Sequence, residues 1–223
     1  MTTERFGTVR ACQLDSLMNN VQDIGAVIGR PVLSVDSANK LGHVHDLVVD
    51  PLKGQLAGLS IQRLDESYAL VDNHEIHSIG PDAIMVDHDE SLISPDQSSI
   101  KVLPQAKSEL IGVKVITEGG QLMGKIANLF MHPAETPVHS AGTPVFIYEV
   151  RSSIFDKLLG HAFYFAASLG CAFSEDRTSL VISNDTENAD RNLKTAVEHI
   201  FDSSDTALYK HGAPEIIVRS HSQ

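Results

Sequence analysis

The chain has 223 residues and a mass of 24.2 kDa, enough for one large domain or two small ones to bury a core without disulfides or a structural metal. Its 17 basic and 29 acidic side chains leave a formal charge of −12, which repels a phosphate backbone and argues against direct nucleic-acid binding. Tryptophan is absent and aromatic residues make up 5%, which removes the stacking platforms used for bases and sugars.

The first residues, Met1-Thr-Thr-Glu-Arg, lack the apolar run of a signal peptide, and no later stretch is long and apolar enough to span a bilayer. Cys12 and Cys171 stand far apart with no metal-ligand spacing. A reduced, cytoplasmic setting is therefore expected.

Self-similarity then organises the chain. Gly42-His-Val-His-Asp-Leu-Val-Val-Asp-Pro51 recurs as Gly124-Lys-Ile-Ala-Asn-Leu-Phe-Met-His-Pro133. Upstream, Ile28-Gly-Arg-Pro-Val-Leu-Ser-Val-Asp recurs as Ile111-Gly-Val-Lys-Val-Ile-Thr-Glu with one residue of slippage. Residues 1–25 form an N-terminal segment, and short β-branched runs bounded by Gly, Asp, Asn and Pro then fill residues 26–92. They fall at Val32–Val35, Val44–Val49, Gln55–Ile61, Tyr68–Val71 and Ala83–Val86.

A polar linker follows at residues 93–108, in which Ile100–Leu103 could add a strand. Residues 109–185 repeat the strand pattern, with runs at Val145–Val150, His161–Ala166 and Ser179–Ile182 and a longer hairpin loop between Pro133 and Pro144. Four or five strands in about seventy residues suit a small sheet closed into a barrel, so the expected fold is mainly β, with two small barrels in tandem. In residues 186–223, Asn184-Asp-Thr-Glu187 has capping-box spacing and opens a helix to Phe201 with Ala189, Leu193, Ala196, Val197, Ile200 and Phe201 on one face. Glu215-Ile-Ile-Val218 could form an edge strand.

Two stretches, "IGRPVLSVDSANKLGHVHDLVVDPLKGQLAGLSI" and "YALVDNHEIHSIGPDAIMVD", resemble the PRC-barrel family. That domain is shared by the H subunit of photosynthetic reaction centres and the C-terminal half of a ribosome-maturation factor. The second copy, "LIGVKVITEGGQLMGKIANLFMHP", is similar but looser. Residues 1–28 hold no membrane helix of the H-subunit kind, and the first copy is partnered by a second copy rather than by an unrelated barrel, so neither role transfers directly. The resemblance implies a non-enzymatic barrel that docks on other proteins or on its own copy, and no shared catalytic residues come with it.

Eleven histidines keep a metal or pH-sensing role in view. His43 and His45 fall on one strand face, where two imidazoles could hold a divalent metal, although Lys125 and Ala127 stand at the matching positions of the second copy. Asp72, His74, Glu75 and His77, and the run Asp87-His88-Asp89-Glu90, hold ligating residue types without a ligand spacing and read as solvated turns. His132 and His139 flank the long loop. Neither cysteine has a neighbouring base, and no nucleophile elbow, P-loop or dinucleotide fingerprint is present, so no enzyme activity and no cofactor are expected.

The apolar face carrying Leu193, Val197, Ile200 and Phe201 could cap a barrel or meet a second chain, and Ile154, Phe155, Leu158 and Leu159 offer a further apolar cluster. The expected role is a protein–protein interaction or regulatory adaptor acting as a homodimer. A metal- or small-ligand-binding regulator and a ribosome-associated assembly factor are the alternatives.

Overall fold

The computed structural model describes residues 20–51, 53–132, 144–152, 162–166, 172–174, 176–183 and 192–197. In the first repeat, β1 (Gln22–Asp23) leads into the one-turn helix α1 (Ile24–Val27). Then come β2 (Pro31–Ser34), β3 (Lys40–Asp50), β4 (Gln55–Arg63), β5 (Tyr68–Asp72), β6 (Ile76–Ile79) and β7 (Ile84–Val86). The second repeat holds β8 (Lys114–Thr117), β9 (Leu122–His132), β10 (Val145–Arg151), β11 (Phe163–Ala166), β12 (Ala172–Phe173) and β13 (Ser179–Ile182). Residues 193–197 are helical and belong to the expected C-terminal helix. Cys12, Cys171, His139, Ile154–Leu159, Ile200, Phe201 and Glu215–Val218 lie outside the described residues.

The fold is mainly β, as expected. Two closed barrels are not what the pairing gives. Within the first repeat the order is β5-β4-β3-β2-β7-β6, with β2 and β7 parallel and the other pairs antiparallel. The second repeats it as β11-β10-β9-β8-β13-β12.

Neither series closes among the described residues: β5 and β6, the two ends of the first order, are joined by the single 3-10 turn Asn73–Glu75 but do not pair with each other. The outer edge of β5 meets Ile93 instead, with Leu70 and Ile93 exchanging main-chain hydrogen bonds of 2.9 and 3.0 Å. β1, β6 and β12 are the strands that sequence patterning does not anticipate. All three are short, and Ile76–Ile79 sits inside a stretch whose histidines and acids read as a turn.

The two halves join into one 13-stranded sheet where Val145 of β10 pairs with Gln55 of β4. Leu56 N–H donates to Pro144 O at 2.9 Å and Phe146 N–H donates to Gly54 O at 2.9 Å, so the junction is reciprocal.

The exchange goes further. β1 pairs with β9, placing Asp23 opposite Phe130, and α1 packs on β9. In the matching place, Gln105 bridges to Val48, and the π-type turn Ala106–Leu110 packs on β3. Each repeat's leading helical turn therefore lies on the long central strand of the other repeat. The slippage seen in sequence lies in the hairpin that follows β2 or β8, where Ser34 N–H reaches Asn39 O five residues on but Thr117 N–H reaches Gln121 O four residues on. The leading turns also differ by one residue, α1 closing with Ile28 N–H to Ile24 O and the second turn with Ile111 N–H to Ala106 O. Both exits are then equivalent, with Gly29 N–H on Val44 O and Gly112 N–H on Ile126 O, each at 2.8 Å.

One apolar core runs through both halves and includes Val44, Leu47, Leu59, Ile61, Val71 and Ile84 of the first and Val115, Ile126, Leu129, Phe146 and Tyr148 of the second. Ile24, Val27, Ala106 and Leu110 of the exchanged turns belong to it. Burying Ile24, Val27 and Leu110 contributes about 1.5–3 kcal/mol each, so the exchanged turns are a substantial part of the fold's stability. The connection at 93–108 folds as well. Ser99–Val102 is a 3-10 turn rather than a strand, and Ile100 and Leu103 pack on the outer sheet face against Val48, Ala57 and Leu70.

Candidate functional site

β3 and β9 carry the same irregularity. Register slips between Val44 and Asp46 opposite β4, and the corresponding slip opposite β10 leaves Ala127 unpaired. A bulge turns the extra residue out of the pleat, so His45 and Ala127 both point away from the core. His43, Gln62 and Tyr68 pair in sequence across β3, β4 and β5 and form one exposed row.

The His45 ring meets the Tyr68 ring edge-on, with centroids 4.8 Å apart and planes at 64°. Beside this pair lies a groove of about 270 Å³, lined by Val48, Leu70, Pro95, Ile100 and Leu103 and rimmed by His45, Ser60, Tyr68, Lys101 and Gln105. Lys101 Nζ donates to Asp96 O at 3.1 Å, which holds its stem along the groove edge.

The same face of the second repeat is built differently. Phe130, Ile147 and Tyr164 stand where Val48, Gly58 and Leu70 stand in the first. Leu193, Ala196 and Val197 pack onto them. Val197 is fully buried and Leu193 half-buried, so both candidate interaction residues rest on the sheet of their own chain, while Ile200 and Phe201 lie outside the described residues. Ile100 and Leu103 cover part of this face in the first repeat and leave a groove beside them.

His43 and His45 are brought to one face as the spacing predicts, but no group of three or more His, Cys, Asp or Glu side chains that could hold a metal occurs among the described residues.

The two acidic and histidine runs, separate in sequence, converge at one corner. Asp72, His74, Glu75, His88, Glu90, Ser91 and Ile93 line a cleft of about 330 Å³. Ser91 Oγ donates to Glu75 Oε2 at 2.7 Å, and His77 Nδ1 lies 3.0 Å from Asp87 Oδ1. His88 Nδ1 contacts Asp36 Oδ2 on the β2–β3 turn, and that hydrogen bond and the carboxylate's charge raise the His88 pKa above its ordinary value. Hydrogen bonds from Ser37, Asn39 and Ser34 lower the Asp89 pKa.

Sequence reasoning missed the pairing partners. Tyr68 reads there only as a strand residue, and Asp36 as part of a turn. Asp46 matches Asn128 in the repeat, yet nothing in the sequence marks it as the buried acceptor for a turn sixty residues away. It is 2% exposed and accepts from Leu47 N, Lys107 N, Ser108 N and Ser108 Oγ at 2.8 to 3.0 Å. The buried carboxylate of Glu149, neutralised by Arg151, was likewise invisible because Ser60 stands in its place in the first repeat.

Compared with known families, residues 22–93 match the PRC-barrel domain. The match begins at β1, includes α1 and ends where the first repeat's edge strand meets Ile93, so it spans the first repeat. No curated protein matches the chain. Among the described residues no helix is long and apolar enough to cross a membrane.

Proposed function

From the premise that residues 22–93 match the PRC-barrel domain, we propose that the chain is a non-catalytic protein–protein interaction or regulatory adaptor that docks its partner on the outer face of β3, β4 and β5. The observation that carries this reading is Tyr68. It is 48% exposed, braced edge-on by His45, and stands at the rim of an apolar groove. A braced aromatic at the edge of a hydrophobic groove presents contact area at small entropic cost, as interface anchors do. A second copy of the chain is one partner this face can take, and homodimerisation belongs to the same reading.

The test is mild crosslinking and affinity capture of the tagged chain from its source cells, with wild type beside a Tyr68→Ser, His45→Ser double variant. One protein at near-stoichiometric yield, depleted about tenfold or more by the double variant at unchanged melting temperature, is the expected result. Equal recovery with both proteins overturns the assignment of this face. Recovery of the chain's own copies alone, confirmed by sedimentation, assigns the face to self-association.

A further inference from the structure

The β2–β3 hairpin turn is tied to the chain leaving β7 in two ways. Main-chain bonds extend the parallel β2–β7 pairing, with Val35 N–H on Val86 O at 2.8 Å and Asp36 N–H on Asp87 O at 3.3 Å. Side chains then cross the same gap: Ser37 Oγ and Asn39 Nδ2 donate to Asp89 at 2.6 and 3.0 Å, and His88 Nδ1 meets Asp36 Oδ2. His88 also forms one wall of the cleft lined by Asp72, His74, Glu75 and Glu90.

In the second repeat Glu118 N–H donates to Ile182 O at 2.9 Å, and the residue that follows, in the place of Asp36, is Gly119, which offers no carboxylate.

We propose that His88 and Asp36 form a proton-operated latch, which tightens the hold of the β2–β3 turn on the segment leaving β7 when His88 is protonated and loosens it when His88 is neutral. The charged groups facing His88 are carboxylates from every side: Asp36 on the hairpin, Asp87 on its own segment and Glu75 on the 3-10 turn. Asp72 and Glu90 line the cleft with Glu75, His74 is its other histidine, and no lysine or arginine lines it.

The sign follows from linkage. The folded His88 pKa is raised above 6.5, so its contribution is complete below 6.5 and is lost as pH rises through the raised value. The folded Asp89 pKa is lowered below 3.8, so its contribution is present above 3.8 and is lost only as pH falls through the lowered value. The latch is closed between these limits and loosens as pH rises through the raised His88 value.

Amide hydrogen exchange and histidine ring NMR on the full chain test this. After correction for intrinsic exchange, protection of the Val35 and Asp36 amides is expected to fall at least about threefold between about pH 6 and about pH 8, the order an exposed ion pair can supply. The Glu118 amide, which has the same main-chain bond but is followed by Gly119 in place of Asp36, stays constant over that range. In Asp36→Asn, the His88 midpoint moves down toward that of an ordinary histidine, and Val35 protection is already low at the acid end. Parallel behaviour of the Val35, Asp36 and Glu118 amides, or an unmoved His88 midpoint in Asp36→Asn, overturns the latch. Both side chains of the pair are more than half exposed, so the variant leaves the core intact.

Discussion

Asp46 and Asn128 hold the same place in the two repeats and complete opposite halves of one exchange. Asp46 is all acceptor, and its two oxygens take the N–H groups of Lys107 and Ser108 and the Ser108 hydroxyl. Asn128 accepts from Leu129 N at 2.9 Å but donates its amide to Asp23 Oδ2 at 2.6 Å, while Asp23 Oδ1 caps α1 through Gly25 N at 2.7 Å. Asn128→Asp would set two carboxylates against each other, at a cost of about 2 kcal/mol. Adding Asp23→Asn, which keeps the cap acceptor, is expected to recover more than half of that loss, and urea unfolding of the four proteins in the cycle measures the coupling. Additive losses would mean that the pair does not set the docking of α1. Backbone contact imposes a second constraint at this scale. A β-carbon on Gly42 would lie 2.2 Å from Gln62 O, and one on Gly124 2.4 Å from Arg151 O, so either position to alanine is expected to cost about 2 kcal/mol or more, read as a lowered urea midpoint.

Among the elements, the strands are ordinary and the connections decide the architecture. The segment after β7 and the helical turn at 193–197 cover the same outer face in their respective repeats, one through Ile100 and Leu103, the other through Leu193, Ala196 and Val197. Gly58 makes room for the first arrangement, since a β-carbon there would lie 2.5 Å from Ile100 Cδ1. Ile100→Ala should therefore open a cavity against Val48 and Leu70 and lower stability by about 2 kcal/mol, whereas the exposed neighbour Val102→Ser should change it by no more than about 0.5 kcal/mol. Thermal unfolding of the two variants side by side checks the difference. Arg177 pins the far end of the connection, donating from one guanidinium nitrogen to Glu109 Oε2 at 2.8 Å and from another to Val102 O. Arg30 does the like at the other repeat's turn, bonding Ala26 O at 2.8 Å and Gly80 O at 2.6 Å.

For the molecule as a whole, the duplication and the mainly β character are legible because strand alternation, glycine turns and the repeated Asp/Asn-Leu core are local signals. Reciprocity is not local. It rests on bonds such as Ser108 to Asp46 and Asn128 to Asp23, separated by 62 and 105 residues, and on one main-chain junction at Gln55 and Val145 whose residues are in no way unusual. Barrel closure is expected from strand number and spacing and from the family resemblance, none of which reports whether β5 and β6, the two ends of the order, pair with each other. The histidine face at His43 and His45 follows from a period of two, but the ring of Tyr68 beside it depends on a bulge that no composition signal marks. The acidic corner was visible as two runs, and their meeting was not, because it needs β6 and β7 to pair and the hairpin to reach across them. The exchange of leading turns also bears on how the protein is made. Ile24 and Val27 leave the ribosome early, yet the strand they cover, β9, ends at His132. At about 5–20 residues per second, the first half waits roughly 5–20 s with part of its apolar surface uncovered. The newborn chain therefore passes through a window in which another nascent copy, or a chaperone, competes with its own second half for that surface.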